Sequence, residues 1–261
     1  MMPDPARLRS QPITQIVMHS PTLASLYVAQ TFDVAPGQFV NVWLPGVDEK
    51  PISISAVRDG QLELSVKAIG PFTQRLMAAK AGDWLGIRGP FGNRFSTQEN
   101  ALLVAGGIGW APLRFLEQTL RALGLGSRVL LGVRTRQELI FPDELPLGTE
   151  LASDDGSLGR LGLVTDLLQA RLEHERPRVI YGAGPEPMLL AVRSIAKTFG
   201  VPVELTFERY MKCGFGICGQ CCMDGSGLRL CVEGPVLGEA QLQEITELGL
   251  AHRTASGRRS P

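Results

Sequence analysis

The stretch LLVAGGIGWAPLRFLEQTLRALG, Leu102 to Gly124, decides how this chain folds. A short apolar run ends in glycines. Pro112 then opens a segment in which Leu113, Leu116, Leu120 and Leu123 share one helical face, and Gly124 stops it. The pattern predicts a strand, a tight loop and a helix. RVLLGV follows from Arg128 as a continuous apolar strand. RVIYGAGPEPMLLAVRSIAKTFG, from Arg178, repeats the plan with Met188, Val192, Ile195 and Phe199 on one helical face, and PVELTF closes it. Strand, helix and strand in succession imply a parallel sheet covered on both sides.

Working outward, the residues before this unit read differently. QLELSVK, Gln61 to Lys67, alternates cleanly with Leu62, Leu64 and Val66 on one face, and it follows an Asp59-Gly60 turn suited to a hairpin. SLYVAQTFDVAPGQFVNVWLP adds two strand-like runs broken at Pro36-Gly37, and helical character is confined mainly to FTQRLMAAKAG. Such a run of short strands predicts a small antiparallel β-barrel. The expected organisation is therefore a barrel over residues 1–97, an α/β domain over 98–207, a cysteine-rich segment over 208–240 and a tail over 241–261. The tail includes HRTASGRRSP, whose composition suits an unstructured end.

A chain of 261 residues has room for two domains, and 44% apolar residues suffice for real cores. Lys+Arg equals Asp+Glu at 26 each, so the basic field that a nucleic-acid binder needs is missing. The longest apolar run, ALLVAGGIGWAPL, is too short and too rich in glycine to cross a bilayer. MMPDPARLRSQP lacks the apolar core of a secretory signal. The expectation is a cytoplasmic protein without nucleic-acid or membrane partners, in which clustered thiols serve a metal rather than disulfides.

All five cysteines fall in MKCGFGICGQCCMDGSGLRLCVEGP, Met211 to Pro235. Cys213, Cys218 and Cys221 stand as C-x4-C-x2-C, the ligand spacing of plant-type 2Fe-2S proteins, and Cys231 supplies a fourth thiolate. Gly214, Gly216 and Gly219 permit a loop whose backbone N–H groups turn toward sulfur. Four cysteines also satisfy tetrahedral zinc. Zinc loops, however, use paired C-x2-C knuckles, and here only Cys218 and Cys221 have that spacing. Cys222, beside a ligand, reads as a small buried residue pointing away.

A cluster that moves single electrons needs a donor and an acceptor. Gly106, Gly107 and Gly109 lie between an apolar strand and a helix, where backbone can approach a pyrophosphate and a helix N-terminus can face its charge. A second glycine turn, Gly182, Gly184 and Pro185, also follows a strand and precedes a helix, so two loops are expected at one rim where a pyrophosphate could bind, although either alone could be a tight strand-to-helix turn. In the barrel, KPISISA pairs Lys50 with a Pro-fixed extended segment and the hydroxyls of Ser53 and Ser55. KAIGPFTQRL ends a strand and starts a helix at Thr73, which could hold a second phosphate or simply cap the helix.

In this order, KPISIS, GPFG at Gly89 to Gly92, VAGGIGWAP, YGAGPEPML and ERYMKCGFGICGQC with LCVEGP resemble the ferredoxin reductase-like flavoproteins over nearly the whole chain. Within them the match is to the electron transfer subunits of type B dihydroorotate dehydrogenase. The resemblance implies that FAD is held by Lys50, Pro51, Ile52 and Ser53, by Ser65, Val66 and Lys67, and by Phe72 and Thr73. It implies Cys213, Cys218, Cys221 and Cys231 as cluster ligands. Lysine replaces the family's arginine at Lys50, Pro71-Phe72 replaces glycines, and Ala183 stands where a cysteine is frequent. The implied partner is an FMN-containing dihydroorotate dehydrogenase catalytic subunit, assembled as a heterotetramer of two of each. Electrons from dihydroorotate then pass through the 2Fe-2S cluster and FAD to NAD+, because nicotinamide takes a hydride, iron-sulfur takes one electron, and a flavin handles both. No residue here is expected to act as acid or base on the pyrimidine. The alternative is a related FAD/2Fe-2S NAD(P)H oxidoreductase subunit of another complex, such as a sulfide dehydrogenase or a transhydrogenase.

The remaining candidates read as structural. His19, His174 and His252 are scattered, and Trp43, Trp84 and Trp110 are expected to pack, with Trp110 placed to cover a cofactor. Arg134 and Arg136 follow the RVLLGV strand near where a 2'-phosphate would be read, yet strand-end arginines are commonly just solvated.

Overall fold

The computed structural model describes residues 4–250 and Arg258. His252 and nearly all of HRTASGRRSP lie outside the described residues. Six strands come first: β1 (Arg9–Ser20), β2 (Leu23–Ala29), β3 (Phe39–Leu44), β4 (Asp48–Arg58), β5 (Gln61–Lys67) and, after helix α1 (Pro71–Met77), β6 (Trp84–Phe91). They close into an antiparallel barrel in the order β1-β2-β5-β4-β3-β6. The β4–β5 hairpin turns through Asp59 and Gly60, whose φ values of 48° and 71° suit the turn that matches strand twist. Leu62, Leu64 and Val66 point inward as their alternation predicts, joining Leu26, Val28, Val40, Val42, Ile54 and Ile87 in the barrel core.

The second unit is a seven-stranded sheet. Its strands are β7 (Ala101–Gly106), β8 (Ser127–Val133), β9 (Glu150–Ser153), β10 (Arg160–Leu161), β11 (Val179–Ala183), β12 (Val203–Thr206) and β13 (Val236–Gly238), ordered β10-β9-β8-β7-β11-β12-β13. All neighbours run parallel except β13, which pairs antiparallel with β12 along Glu204–Thr206. That edge strand comes from residues the pattern reading groups with the cysteine segment. Three residues carry no periodicity that would reveal it.

The helices α2 (Trp110–Ala122), α3 (Val164–His174) and α4 (Glu186–Phe199) cover both faces. Central strand β7 sends Leu102 and Val104 to one face, against Leu168 of α3 and Val192 of α4. It sends Leu103 and Ala105 to the other, against Leu113, Leu116 and Leu120 of α2. Two expected helix faces differ. Leu123 is the C-cap of α2 and is 58% exposed, and α4 buries Leu189, Val192 and Ala196 while Met188, Ile195 and Phe199 flank them. α2 is wedged between its sheet and the barrel: Phe115 packs on the barrel core, and Leu23 of β2 joins the α2 core.

A short helix α5 (Glu239–Glu244) follows β13, and Leu242, Ile245 and Glu247 are buried. Residues 241–250 therefore pack on the domain body. Among the described residues, no helix is long and apolar enough to cross a membrane. Trp110 is fully buried in the α2 core, Trp43 is half-buried, and Trp84, expected to pack, stands 58% exposed.

Candidate functional site

The cysteine segment lies against the barrel beside Phe91, the last residue of β6. Gly214 and Gly216 both adopt φ of 85°, and a Cβ on Gly214 would sit 2.7 Å from the Phe91 ring. Glycine is required there on both counts. Cys221 and Cys231 are buried, Cys213 is half-buried and Cys218 is exposed. Cys218 lies near enough to Cys213, and Cys231 to Cys221, to shift its neighbour's proton affinity. Backbone N–H groups of Cys218, Phe215 and Ile217 donate to the Cys213 sulfur. Burial pushes that thiol up, but these donors outweigh it and bring its pKa down to about 6. Cys231 lowers the neighbouring Cys221 to about 7 against the opposing effect of burial, and Cys221 together with burial raises Cys231.

Two pairs, each backed by backbone donors, suit two bridged iron atoms. The donor set thus fits a 2Fe-2S cluster. Cys222 is half-buried, forms an isolated bridge with Arg229, and has its pKa raised by burial and then by the neighbouring Cys221.

Side chains distant in sequence hold the segment at both ends. At its entry, Asn41 Nδ2 donates to the Lys212 carbonyl at 3.0 Å. Lys50 donates to the Tyr210 hydroxyl at 3.2 Å, with its ammonium 4.8 Å from the Tyr210 ring centroid. At the exit, Asn93 Nδ2 donates to the carbonyls of Glu233 and Val236. Arg209, just before the segment, is buried between Glu186 at the start of α4 and Glu247, each at 2.7 Å. None of these partners was legible in the sequence, because each lies tens of residues or more away and no local pattern marks it.

The residues named for FAD divide among three elements. Lys50, Pro51, Ile52 and Ser53 lie on β4, where the Lys50 ammonium is 2.5 Å from Asp48. Burial opposes its charge, but Asp48 and Tyr210 raise its pKa. Ser65, Val66 and Lys67 lie on β5, and Val66 points into the barrel core. On the outer face of that strand Glu63, Ser65 and Lys67 follow one another at the two-residue repeat, and Glu63 and Lys67 meet the nucleotide domain. Glu63 pairs with Arg114 of α2 at 2.5 Å, and Lys67 pairs with Glu138 at 3.0 Å. Phe72 is buried, and Thr73 caps its own helix, accepting from the N–H groups of Ile69 and Gly70. The phosphate role considered for Thr73 thus competes with a capping role that the hydroxyl already performs.

The two glycine loops meet at the carboxyl rim of the sheet. A Cβ on Gly109 would fall 2.2 Å from the Ala183 carbonyl, and one on Gly106 would strike Met188 and Pro185, so these glycines let the loops touch each other. Gly107 differs: its φ is 54°, and nothing lies closer than 4.0 Å to where a Cβ would be. It is therefore the position of this loop where a ligand could approach the backbone. Gly182 underlies Leu189 and Leu205, and Gly184 abuts Gly106. Arg134 is held by Glu138, whose carboxyl stays below its usual range: burial would raise it, but Arg134 and Lys67 outweigh burial. Arg136 donates to the Ser157 carbonyl.

A closed antiparallel barrel joined to a parallel sheet with two glycine loops on one rim defines the ferredoxin reductase-like class of fold. Comparison with solved structures agrees. A chain of the NADH-dependent reduced ferredoxin-NADP oxidoreductase structure superposes with a TM-score of 0.80 at 28% identity, over 91% of this chain and 93% of that one. The ferredoxin reductase in carbazole 1,9a-dioxygenase gives 0.64 at 23% identity, over 76% and 68%. Residues 208–243 match the model of the iron-sulfur cluster binding domain of dihydroorotate dehydrogenase B. Over 250 residues the chain is 42% identical to the probable dihydroorotate dehydrogenase B (NAD(+)), electron transfer subunit, of Methanocaldococcus jannaschii, covering 95% of this chain and 96% of that one. The counterpart from Methanothermobacter thermautotrophicus is 40% identical over 258 residues, 95% and 96%. The chain belongs to the family of dihydroorotate dehydrogenase B electron transfer subunits.

Proposed function

We propose that this chain carries electrons from the FMN of a dihydroorotate dehydrogenase catalytic subunit to NAD+, using a 2Fe-2S cluster on Cys213, Cys218, Cys221 and Cys231 and an FAD held by the barrel. The observation that carries the reading is the C-x4-C-x2-C loop with Cys231 nine residues beyond Cys222, in a chain of this family. When bound, the cluster supplies one-electron exchange and the flavin supplies both one-electron and hydride exchange.

The chain's own residues supply position. Backbone N–H groups around Cys213 stabilise negative charge on sulfur. Ser65 to Lys67 on β5, with Lys50 to Ser53 on β4, orient the flavin beside α2. Gly107, and the loop from Gly182 to Pro185, receive the dinucleotide pyrophosphate at the rim from which α2 and α4 start. Exposed Cys218 stands with Phe215, 37% exposed, and Ile217, 78% exposed, which supports docking of this loop on the catalytic subunit. The assembly we infer is a heterotetramer of two subunits of each kind, located in the cytoplasm.

The test is a visible spectrum of anaerobically purified protein, with iron, sulfide and flavin assays, before and after addition of NADH. Flavin bands over a broad iron-sulfur absorbance, both bleached by NADH, are expected. Protein containing zinc without iron or sulfide would overturn the reading.

A further inference from the structure

Arg114 is an unusual residue to find on α2. It sits one turn after the Gly107–Gly109 loop, on the helix that this loop opens, and it is fully buried. Its guanidinium reaches out of the nucleotide domain. Nη2 donates to Glu63 on barrel strand β5 at 2.5 Å, and Nη1 donates to Glu144 at 2.7 Å. The group also lies 3.5 Å from the centroid of the Phe141 ring. Glu63 is 1% exposed. Burying two opposite charges is expensive and adds little net stability compared with apolar residues of similar size. A role beyond stability is therefore worth seeking.

The surroundings of Glu63 supply one. Ser25 Oγ donates to Glu63 Oε1 at 3.3 Å, and it also lies 3.0 Å from Ser65 Oγ and 2.9 Å from His19 Nε2. The Ser25 hydroxyl therefore links the Arg114–Glu63 ion pair to Ser65 and His19. A hydrogen-bond chain runs from the nucleotide helix through this pair to the outer face of β5. The Ser65 N–H donates in turn to Ser55 Oγ on β4, at 3.0 Å. Both strands that carry the flavin residues are tied to this point.

We propose that Arg114 and Glu63 are positioning residues for hydride transfer: their ion pair fixes α2, and with it the nucleotide loops, in register with the flavin strand. The proposal rests on the reading that the barrel binds FAD and the sheet binds NAD. Under that reading each domain binds its own cofactor with its own residues, and the joint sets only their mutual placement. Loosening it leaves both affinities in place and lowers the rate at which the two rings react, because displacements of about 1 Å cost on the order of a hundredfold.

The test uses holoprotein carrying Arg114→Met with Glu63→Met, which removes both charges and keeps apolar bulk in their place. A second variant, Glu63→Gln, leaves the shape unchanged. Flavin and iron content, NAD+ affinity by calorimetry, hydrogen exchange along α2 and β5, and the stopped-flow limiting rate of flavin bleaching by NADH are measured on each. The expected result is wild-type cofactor content, NAD+ affinity within about twofold, faster exchange in α2 and β5 together, and a limiting rate lowered at least about tenfold in the double variant and about threefold in Glu63→Gln. If the double variant does not fold, Glu63→Gln alone decides. A limiting rate within twofold of wild type overturns the proposal, and so does loss of flavin or of NAD+ affinity in proportion to the rate, which would make the pair a stability element only. Absence of bleaching in the wild-type protein would instead be a failure of the functional reading, and the two failures are distinct.

Discussion

Asn93 grips Val236 from both sides: its Nδ2 donates to the Val236 carbonyl at 2.8 Å, and its Oδ1 accepts from the Val236 N–H at 3.0 Å. A side-chain amide here does the work of one rung of a sheet. It stands beside the GPFG loop of the barrel and holds the first residue of β13, where the chain leaves the cysteine segment. Asn93→Ala removes these two bonds and the one to Glu233, leaving backbone groups unpaired. Stability is expected to fall by about 2 kcal/mol, and iron should pass to a chelator faster than from wild type. Thermal melting and chelator kinetics on the same preparation check both.

Serine at Cys221 is expected to abolish iron and sulfide incorporation, whereas serine at Cys222 should leave both at wild-type levels. The sequence places these residues side by side, but only Cys221 is paired with Cys231. Metal analysis, with an electron paramagnetic resonance spectrum of the reduced protein, separates the two variants. Equal iron loss in both would show that the loop as a whole, and not the assigned thiol, is being read.

Arg209→Met should be among the more damaging single substitutions. It leaves Glu186 and Glu247 facing one another without the guanidinium between them. Breaking a buried pair in this way costs on the order of 3 kcal/mol. Because Glu186 follows Gly184-Pro185 directly, weaker NAD+ binding should accompany the drop in melting temperature. Calorimetric titration with NAD+ measures it.

Tyr27 has its pKa pushed up to about 12 by burial and by the negative charge of Glu63 beside it. The folded chain therefore keeps a phenol proton that the unfolded chain releases from about pH 10 upward. Unfolding then releases a proton, so stability is unaffected by this group below about pH 10 and falls as pH rises toward 12. Melting temperatures of wild type and Tyr27→Phe should converge in slope near neutrality and diverge in that alkaline window, with the wild type falling more steeply.

The sequence made some of these features plain and hid others for identifiable reasons. The stripe of Leu62, Leu64 and Val66 and the loop-helix unit after β7 are local patterns set by backbone periodicity, and both are visible in the described structure. The cysteine spacing is local as well. Glu63 is a different case: a charged residue between two inward leucines reads as the solvent side of a strand, yet it is buried because Arg114 covers it. Only the packing of two domains could reveal that. Leu123 fails in the opposite direction, since the helical repeat continues to a residue that already caps the helix and turns outward. Asn41 and Asn93 show the limit most clearly, as their partners lie 171 and up to 143 residues along the chain.

The return of the chain to the sheet through β13 ties the sheet's edge to the order of synthesis. Among the described residues, the strand that pairs with the outer edge of β12 follows every cysteine. A nascent or proteolysed chain that stops short of that strand exposes a bare ribbon of peptide groups inviting intermolecular pairing. The nucleotide sheet is thus completed only once the chain has passed its last thiol.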